Sequence, residues 1–125
     1  MQFYSIATRP IIDDLRAYAE ATMVWYADDS SACGSFIQLL QWWNRLCDIG
    51  PGYGYYPNAK KTILIVKNHE DQAEAETLFG HLGVKITTSG ERHLGAVVGS
   101  KKYREDYIKE KVEKWITDIE QLADI

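Results

Sequence analysis

The chain is short of cysteine, of basic excess and of long apolar runs, and each shortage narrows what it can be. Its two cysteines, Cys33 and Cys47, lie too far apart for a C-x-x-C unit, which leaves buried free thiols rather than a disulfide as the expectation and suggests no thiol chemistry. The histidines His69, His81 and His93 fall in three separate segments and share no ligand spacing with either cysteine, which speaks against zinc. No window approaches the roughly 20 apolar residues that span a bilayer, and the first residues lack the basic and apolar regions of a secretory signal. The expectation is an intracellular, non-secreted protein with no membrane partner. A net charge of -4 over 125 residues has the wrong sign for a free-standing nucleic-acid domain, which usually carries a basic face. Low-complexity tracts and internal repeats are also missing, and 125 residues are about one domain's worth of chain.

What is present is a series of strong local patterns. From Gln2 to about Glu20, Phe3, Ile6, Ile11, Leu15 and Tyr18 recur at helical spacing, with Pro10 expected to kink or restart the helix. ATMVWY and SSAC then flank Ala27-Asp28-Asp29 as two short strands around a tight acidic turn. Ser35 stands where it can cap a helix whose stripe is Phe36, Leu39, Leu40, Trp43, Leu46 and Cys47, ending at Gly50. PGYGYYPNAKK is a loop, the β-branched run Thr62 to Val66 a buried strand, and Glu70 to Phe79 a helix stopped at Gly80. VKITT and RHLGAVV read as strands joined by a Ser89-Gly90 turn. Tyr103 to Ile125 carries Ile108, Val112, Trp115, Ile119 and Leu122 in alternating steps of four and three, a narrow apolar seam. Trp43 and Trp115 are expected in the core, and Trp42 is left open as a base-stacking candidate. The helical pattern is already in phase at Met1 and still running at Leu122, so the chain reads as a segment of something longer.

The acidic turn raises the chemical question. Successive strand residues point to opposite faces, so Asp28 and Asp29 cannot serve one ligand unless a turn redirects one of them. Adjacent carboxylates repel unless a cation offsets their charge. Mg²⁺ suits such a place, since it takes oxygen ligands, often one or two carboxylates completed by waters and substrate phosphates. Asp-Asp pairs are also common at turns for a local reason: Asp bonds its own backbone and tolerates turn geometry. The dipeptide alone leaves both readings open.

Its surroundings favour the first. Tyr26-Ala27-Asp28-Asp29 resembles the Tyr-x-Asp-Asp motif that reverse transcriptases carry at a β-turn-β tip in the palm. FYSIATRPIIDDL looks like the helix that follows the family's Gln-Gly-(Asp/Ser)-Pro motif. Asn58-Ala59-Lys60-Lys61-Thr62 is similar to its Asn-x-x-Lys-Thr element, and His93-Leu94-Gly95 with Ala96 to Gly99 looks like its Leu-Gly primer-grip hairpin. The elements come in the family's order over nearly the whole chain, and the retroelement polymerases are the variety resembled.

This resemblance implies an α+β fold: a partial polymerase palm, with a ferredoxin-like antiparallel sheet carrying helices on one face, then a hairpin and a terminal helix. Residues 1–125 would form one such palm, with 1–100 its palm and primer-grip-like hairpin and 101–125 the helix leading toward a thumb. It implies an RNA-directed DNA polymerase, a nucleotidyltransferase using Mg²⁺, with Mn²⁺ as substitute, an RNA template, a DNA primer and deoxynucleoside triphosphates. Asp28 would be the main metal-ligating carboxylate and Asp29 its weaker partner. Tyr26 would lie beneath the primer end, Leu94 and Gly95 would grip the primer, and Lys61 would assist pyrophosphate departure, with a solvated loop lysine as the local alternative. The family's first-motif aspartate and its fingers lie upstream of the matched segment. The chain by itself is therefore expected to be inactive, and strand edges left open are expected to invite homo-oligomers. Asp13 and Asp14 read as solvated helix acids rather than substitutes. Gly95 to Lys101 has one residue too few between its glycines for a phosphate loop. The alternative function is a non-catalytic palm-like module for binding or assembly.

Overall fold

The computed structural model describes residues 2–125, with side chains from residue 6 onward, so the side chain of Phe3 lies outside the described residues. The class is α+β, with the chain gathered into two compact units, residues 1–59 and 60–125.

In the first unit, α1 spans Gln2–Tyr18 and contains Pro10 without ending there. Of the kink or restart expected at Pro10, the restart is absent, because a single proline removes one backbone donor, the one that would meet Ile6, while the apolar face continues past it. β1 (Thr22–Tyr26) and β2 (Asp29–Cys33) form an antiparallel ladder. α2 (Phe36–Ile49) begins at a full capping box: Gln38 N–H donates to Ser35 Oγ at 3.3 Å, and Ser35 N–H to Gln38 Oε1 at 2.9 Å. The core is the seam between helices, where Ile11 and Leu15 from α1 and Leu46 from α2 are wholly enclosed and Trp42 and Trp43 are buried. Burial of Trp42 removes it as a stacking platform, and its indole N–H has no hydrogen-bond partner.

The second unit begins with β3 (Ile63–Ile65), followed by α3 (Gln72–Phe79) and β4 (Lys85–Thr87), which returns parallel to β3. A parallel return needs a crossover of this kind, and here the helix supplies it. Val66, Ala75 and Phe79 form this unit's small buried centre, while Ile63 at the outer end of β3 is exposed. β5 (Gly90–His93) and β6 (Ala96–Gly99) make a second antiparallel hairpin. The expected strand RHLGAVV is thus broken at Leu94-Gly95, where both residues have positive φ, 50° and 80°, the pattern of a two-residue type I′ turn. Gly90 and Gly99 face one another across this ladder. A Cβ at Gly90 would meet Val98 O and the Tyr103 ring, so the missing side chain admits the first aromatic of the last helix.

That helix, α4 (Lys101–Ala123), starts at a Ser100 cap accepting from Tyr103 N–H at 3.2 Å. Tyr103, Tyr107 and Lys111, four residues apart, are its half-buried row. The seam is not: Ile108, Val112, Trp115, Ile119 and Leu122 are all exposed, Trp115 by 60%. The expectation of a core Trp115 is overturned because the row beside the hairpin, rather than the seam, supplies the helix's packing.

Two features differ from the expected sheet. The described strands form three separate two-stranded ladders, one of them parallel, rather than one antiparallel sheet. Strands of three to five residues offer few ladder bonds, which limits how far pairing extends. The thiols of Cys33 and Cys47 are free as expected but exposed rather than buried, since Cys33 ends an open strand and Cys47 sits at the margin of its stripe. Partial burial pushes the Cys47 thiol's pKa up. No helix among the described residues is long and apolar enough to cross a membrane.

Candidate functional site: an acidic hairpin tip

The β1–β2 ladder pairs Tyr26 with Asp29, leaving Ala27 and Asp28 as a two-residue turn. Ala27 has φ 52° and Asp28 does not share the positive sign, the φ pattern of a type II′ turn, which matches the twist of its flanking strands. Glycine is the usual residue at that first central position. Alanine there is held in a left-handed conformation that costs about 1–2 kcal/mol.

Cross-strand partners share a face, so Thr22, Val24, Tyr26, Asp29, Ser31 and Cys33 lie on one side of the ribbon and Met23, Trp25, Ser30 and Ala32 on the other. The second side is braced. The Trp25 and Tyr55 rings lie 5.3 Å apart, tilted by 59°. Tyr55 Oη donates to the Asp28 carbonyl at 2.9 Å and lies 3.2 Å from Ser30 Oγ. The first side is open, with Val24 65% and Tyr26 53% exposed. Asp28 and Asp29 are both exposed at the tip. Burial, then the charges of Asp28 and Asp29, push the Tyr55 phenol up, against the hydrogen bond from Ser30.

The donor set fits a hard divalent cation: two carboxylates at a solvent-open tip, with room for the waters Mg²⁺ retains. No group of three His, Cys, Asp or Glu side chains gathers anywhere among the described residues, so the tip offers two protein carboxylates and no third.

The remaining predicted site residues belong to the second unit. Lys61 is exposed at the end of a short 3₁₀ turn, Ala59–Lys61, just before β3. Leu94 and Gly95 form the exposed tip of the β5–β6 hairpin, Leu94 at 53%. Beside that tip runs a groove of about 250 Å³ lined by Arg92, Gly95, Tyr107, Ile108, Lys111 and Trp115 among others. The Tyr107 ring takes the Arg92 guanidinium at 5.7 Å and the Lys111 ammonium at 5.6 Å from its centroid.

Asp13 and Asp14 are not candidate ligands. Asp13 pairs with Arg9 one turn earlier at 3.0 Å. Asp14 was expected to be solvated, yet it is two-thirds buried and receives both arms of the Arg45 fork, at 2.7 and 2.9 Å. The fork holds its carboxyl below the usual value and raises the guanidinium's.

Two contributors escaped the sequence reading. Tyr55 lies in the Gly- and Pro-rich loop PGYGYYP, where Tyr53 and Tyr56 are exposed and nothing local marks Tyr55 as the tyrosine that packs. Arg45 bears no local mark of its partner, 31 residues away. Comparison with protein-family models, with curated proteins and with solved structures finds no match for this chain.

Proposed function

We propose that the chain is part of the palm of an RNA-directed DNA polymerase, a nucleotidyltransferase that extends a DNA primer on an RNA template with deoxynucleoside triphosphates. The observation that carries the reading is the turn itself: Tyr26-Ala27-Asp28-Asp29 closes a two-residue hairpin with a left-handed alanine and two exposed acids. A second observation agrees. Ala27 and Leu94 are the non-glycine residues with positive φ among the described residues, and both stand inside motifs that carry the resemblance. Backbone strain of this kind collects at functional sites.

In this reading Asp28 is the principal carboxylate toward Mg²⁺ and Asp29 the weaker one. Bound Mg²⁺, with Mn²⁺ as substitute, supplies activation of the primer hydroxyl and charge stabilisation at the leaving pyrophosphate. Tyr26 offers its exposed ring beside the primer end, on the face it shares with Asp29. Lys61, an exposed ammonium, neutralises charge on the departing pyrophosphate and gives it a proton. Leu94 and Gly95 position the primer strand. Asp28 and Asp29 without a third carboxylate do not assemble the full site, so the chain alone is expected to be silent in primer extension.

Paramagnetic Mn²⁺ provides the test. Titrated into the labelled chain, it is expected to broaden amide signals of residues 26–30 first, and Asp28→Asn is expected to abolish that preference. Uniform broadening over all exposed acids, or a preference unchanged by Asp28→Asn, would reject metal binding at the tip. Mg²⁺-dependent extension of a DNA primer by the chain alone would overturn the claim of inactivity. A non-catalytic assembly module is the second reading, favoured by the exposed seam of α4; it predicts no metal preference at the tip.

A further inference from the structure

The seam on α4 lies outside the proposed chemistry, and its exposure needs an occupant. Ile108, Val112, Trp115, Ile119 and Leu122 are exposed by 42% to 68%. Their steps of four and three are those of a coiled-coil core, in which Ile108, Trp115 and Leu122 take one alternate position and Val112 and Ile119 the other. An apolar row of this length is seldom left to water.

The charges on the same helix say what covers it. Its six cations, Lys101, Lys102, Arg104, Lys109, Lys111 and Lys114, all fall at or before position 114, where they outnumber the four acids Glu105, Asp106, Glu110 and Glu113 and leave that half net basic, whereas Asp118 and Glu120, with Asp124 at the cap, follow with no cation among them. A parallel copy would set acidic end against acidic end. An antiparallel copy sets each acidic end against the other's basic half, with Val112 level with Trp115 and Ile108 with Ile119 across the seam. Lys111 and Asp118 each precede a core residue of the same kind, Val112 and Ile119, and so flank the seam on the same side. In an antiparallel pair these flanking positions of the two helices meet, which brings Lys111 of one copy to Asp118 of the other.

We infer that α4 is a self-association element that pairs antiparallel with the α4 of a second copy of this chain. The pairing covers the seam, including the part that borders the groove beside Arg92 and Gly95. It is separate from any pairing of strand edges, since it uses no backbone ladder groups, and it stands whether or not the chain is a polymerase palm.

The test is sedimentation velocity on the full chain from micromolar to submillimolar concentration. A monomer–dimer equilibrium is expected, weakened by salt. Ile119→Asp, at a position 65% exposed and so not required for the fold, is expected to raise the dissociation constant by about ten-fold or more, with unchanged circular dichroism. Lys111→Glu is expected to weaken the dimer and Lys111→Glu with Asp118→Lys to restore it. A monomer at every concentration overturns the inference. So does a dimer indifferent to Ile119→Asp, which places the contact elsewhere, or a double exchange that fails to restore, which removes the antiparallel register.

Discussion

The hydroxyl of Tyr55 donates to the carbonyl of Asp28 at 2.9 Å, tying a loop residue to the acidic turn 27 positions upstream. This bond and the Trp25 contact hold the rear of the ribbon, so that the acids project from a supported tip rather than a free hairpin, which alone is barely stable in water. Tyr55→Phe keeps the ring and loses the bond. We expect a loss of about 1 kcal/mol by chemical denaturation, with faster amide exchange at residues 27–30. The phenol's pKa lies above its ordinary value of 10.0 in the folded chain. Its contribution is thus complete below pH 10.0 and is lost as pH rises through the folded value, so the gap between wild type and variant should narrow in alkali.

The Asp14–Arg45 fork joins α1 to α2 beside the first unit's core, and the Arg45 guanidinium also lies 4.9 Å from the centre of the Tyr18 ring. Asp14→Asn is expected to lower the melting temperature at neutral pH. The folded pKa of Asp14 is depressed, so its stabilisation is present above the ordinary value of 3.8 and disappears as pH falls through the folded one. Calorimetry should show the two proteins converging in acid. A constant gap across that range would mean that packing, not charge, is what the substitution removes.

Ser35→Ala removes the side-chain acceptor of the Gln38 N–H and leaves only the reciprocal bond, in which the backbone N–H at position 35 donates to Gln38 Oε1. The expected cost is about 1 kcal/mol, read as a shift in urea midpoint with unchanged slope. Because α2 carries Trp42, Trp43 and Leu46 into the core, tryptophan fluorescence should report the same transition.

Leu94 occupies the first central position of a type I′ turn, where asparagine is the favoured residue before glycine. Leu94→Asn should therefore stabilise the second unit by up to about 1 kcal/mol. If Leu94 grips a primer, the same substitution trades nucleic-acid affinity for stability within the assembled enzyme. A destabilised variant would show that Leu94 earns its place by packing.

Features written in neighbouring residues were legible in the sequence. Ser35 with Gln38 three residues on, the Trp43 and Leu46 part of the α2 stripe, and a short apolar strand running into Ala27-Asp28 all work through contacts a few residues long, and the structure has them, although Cys47 falls off the stripe and Trp42 joins the core. What eluded reading depends on which distant segment arrives. Periodicity put Trp115 on an apolar row, but only the position of the β5–β6 hairpin decides which row is covered. Strand residues around Ile63 and Ile86 were evident, whereas their parallel pairing hinged on α3 crossing between them. At the candidate site, Tyr26, Asp28 and Asp29 came from one local motif, while the brace from Tyr55 came from beyond α2.

The two hairpins close through turns of two residues, whereas the parallel pair must wait for residues 66–84 to fold back. Hairpins of that kind form within about 1–10 microseconds, and pairings that span long loops come later. Time therefore divides the molecule along a line that space does not show. In a refolding chain the acidic tip and the Leu94-Gly95 tip can therefore close before the parallel pair does, but each persists only once its own unit packs behind it.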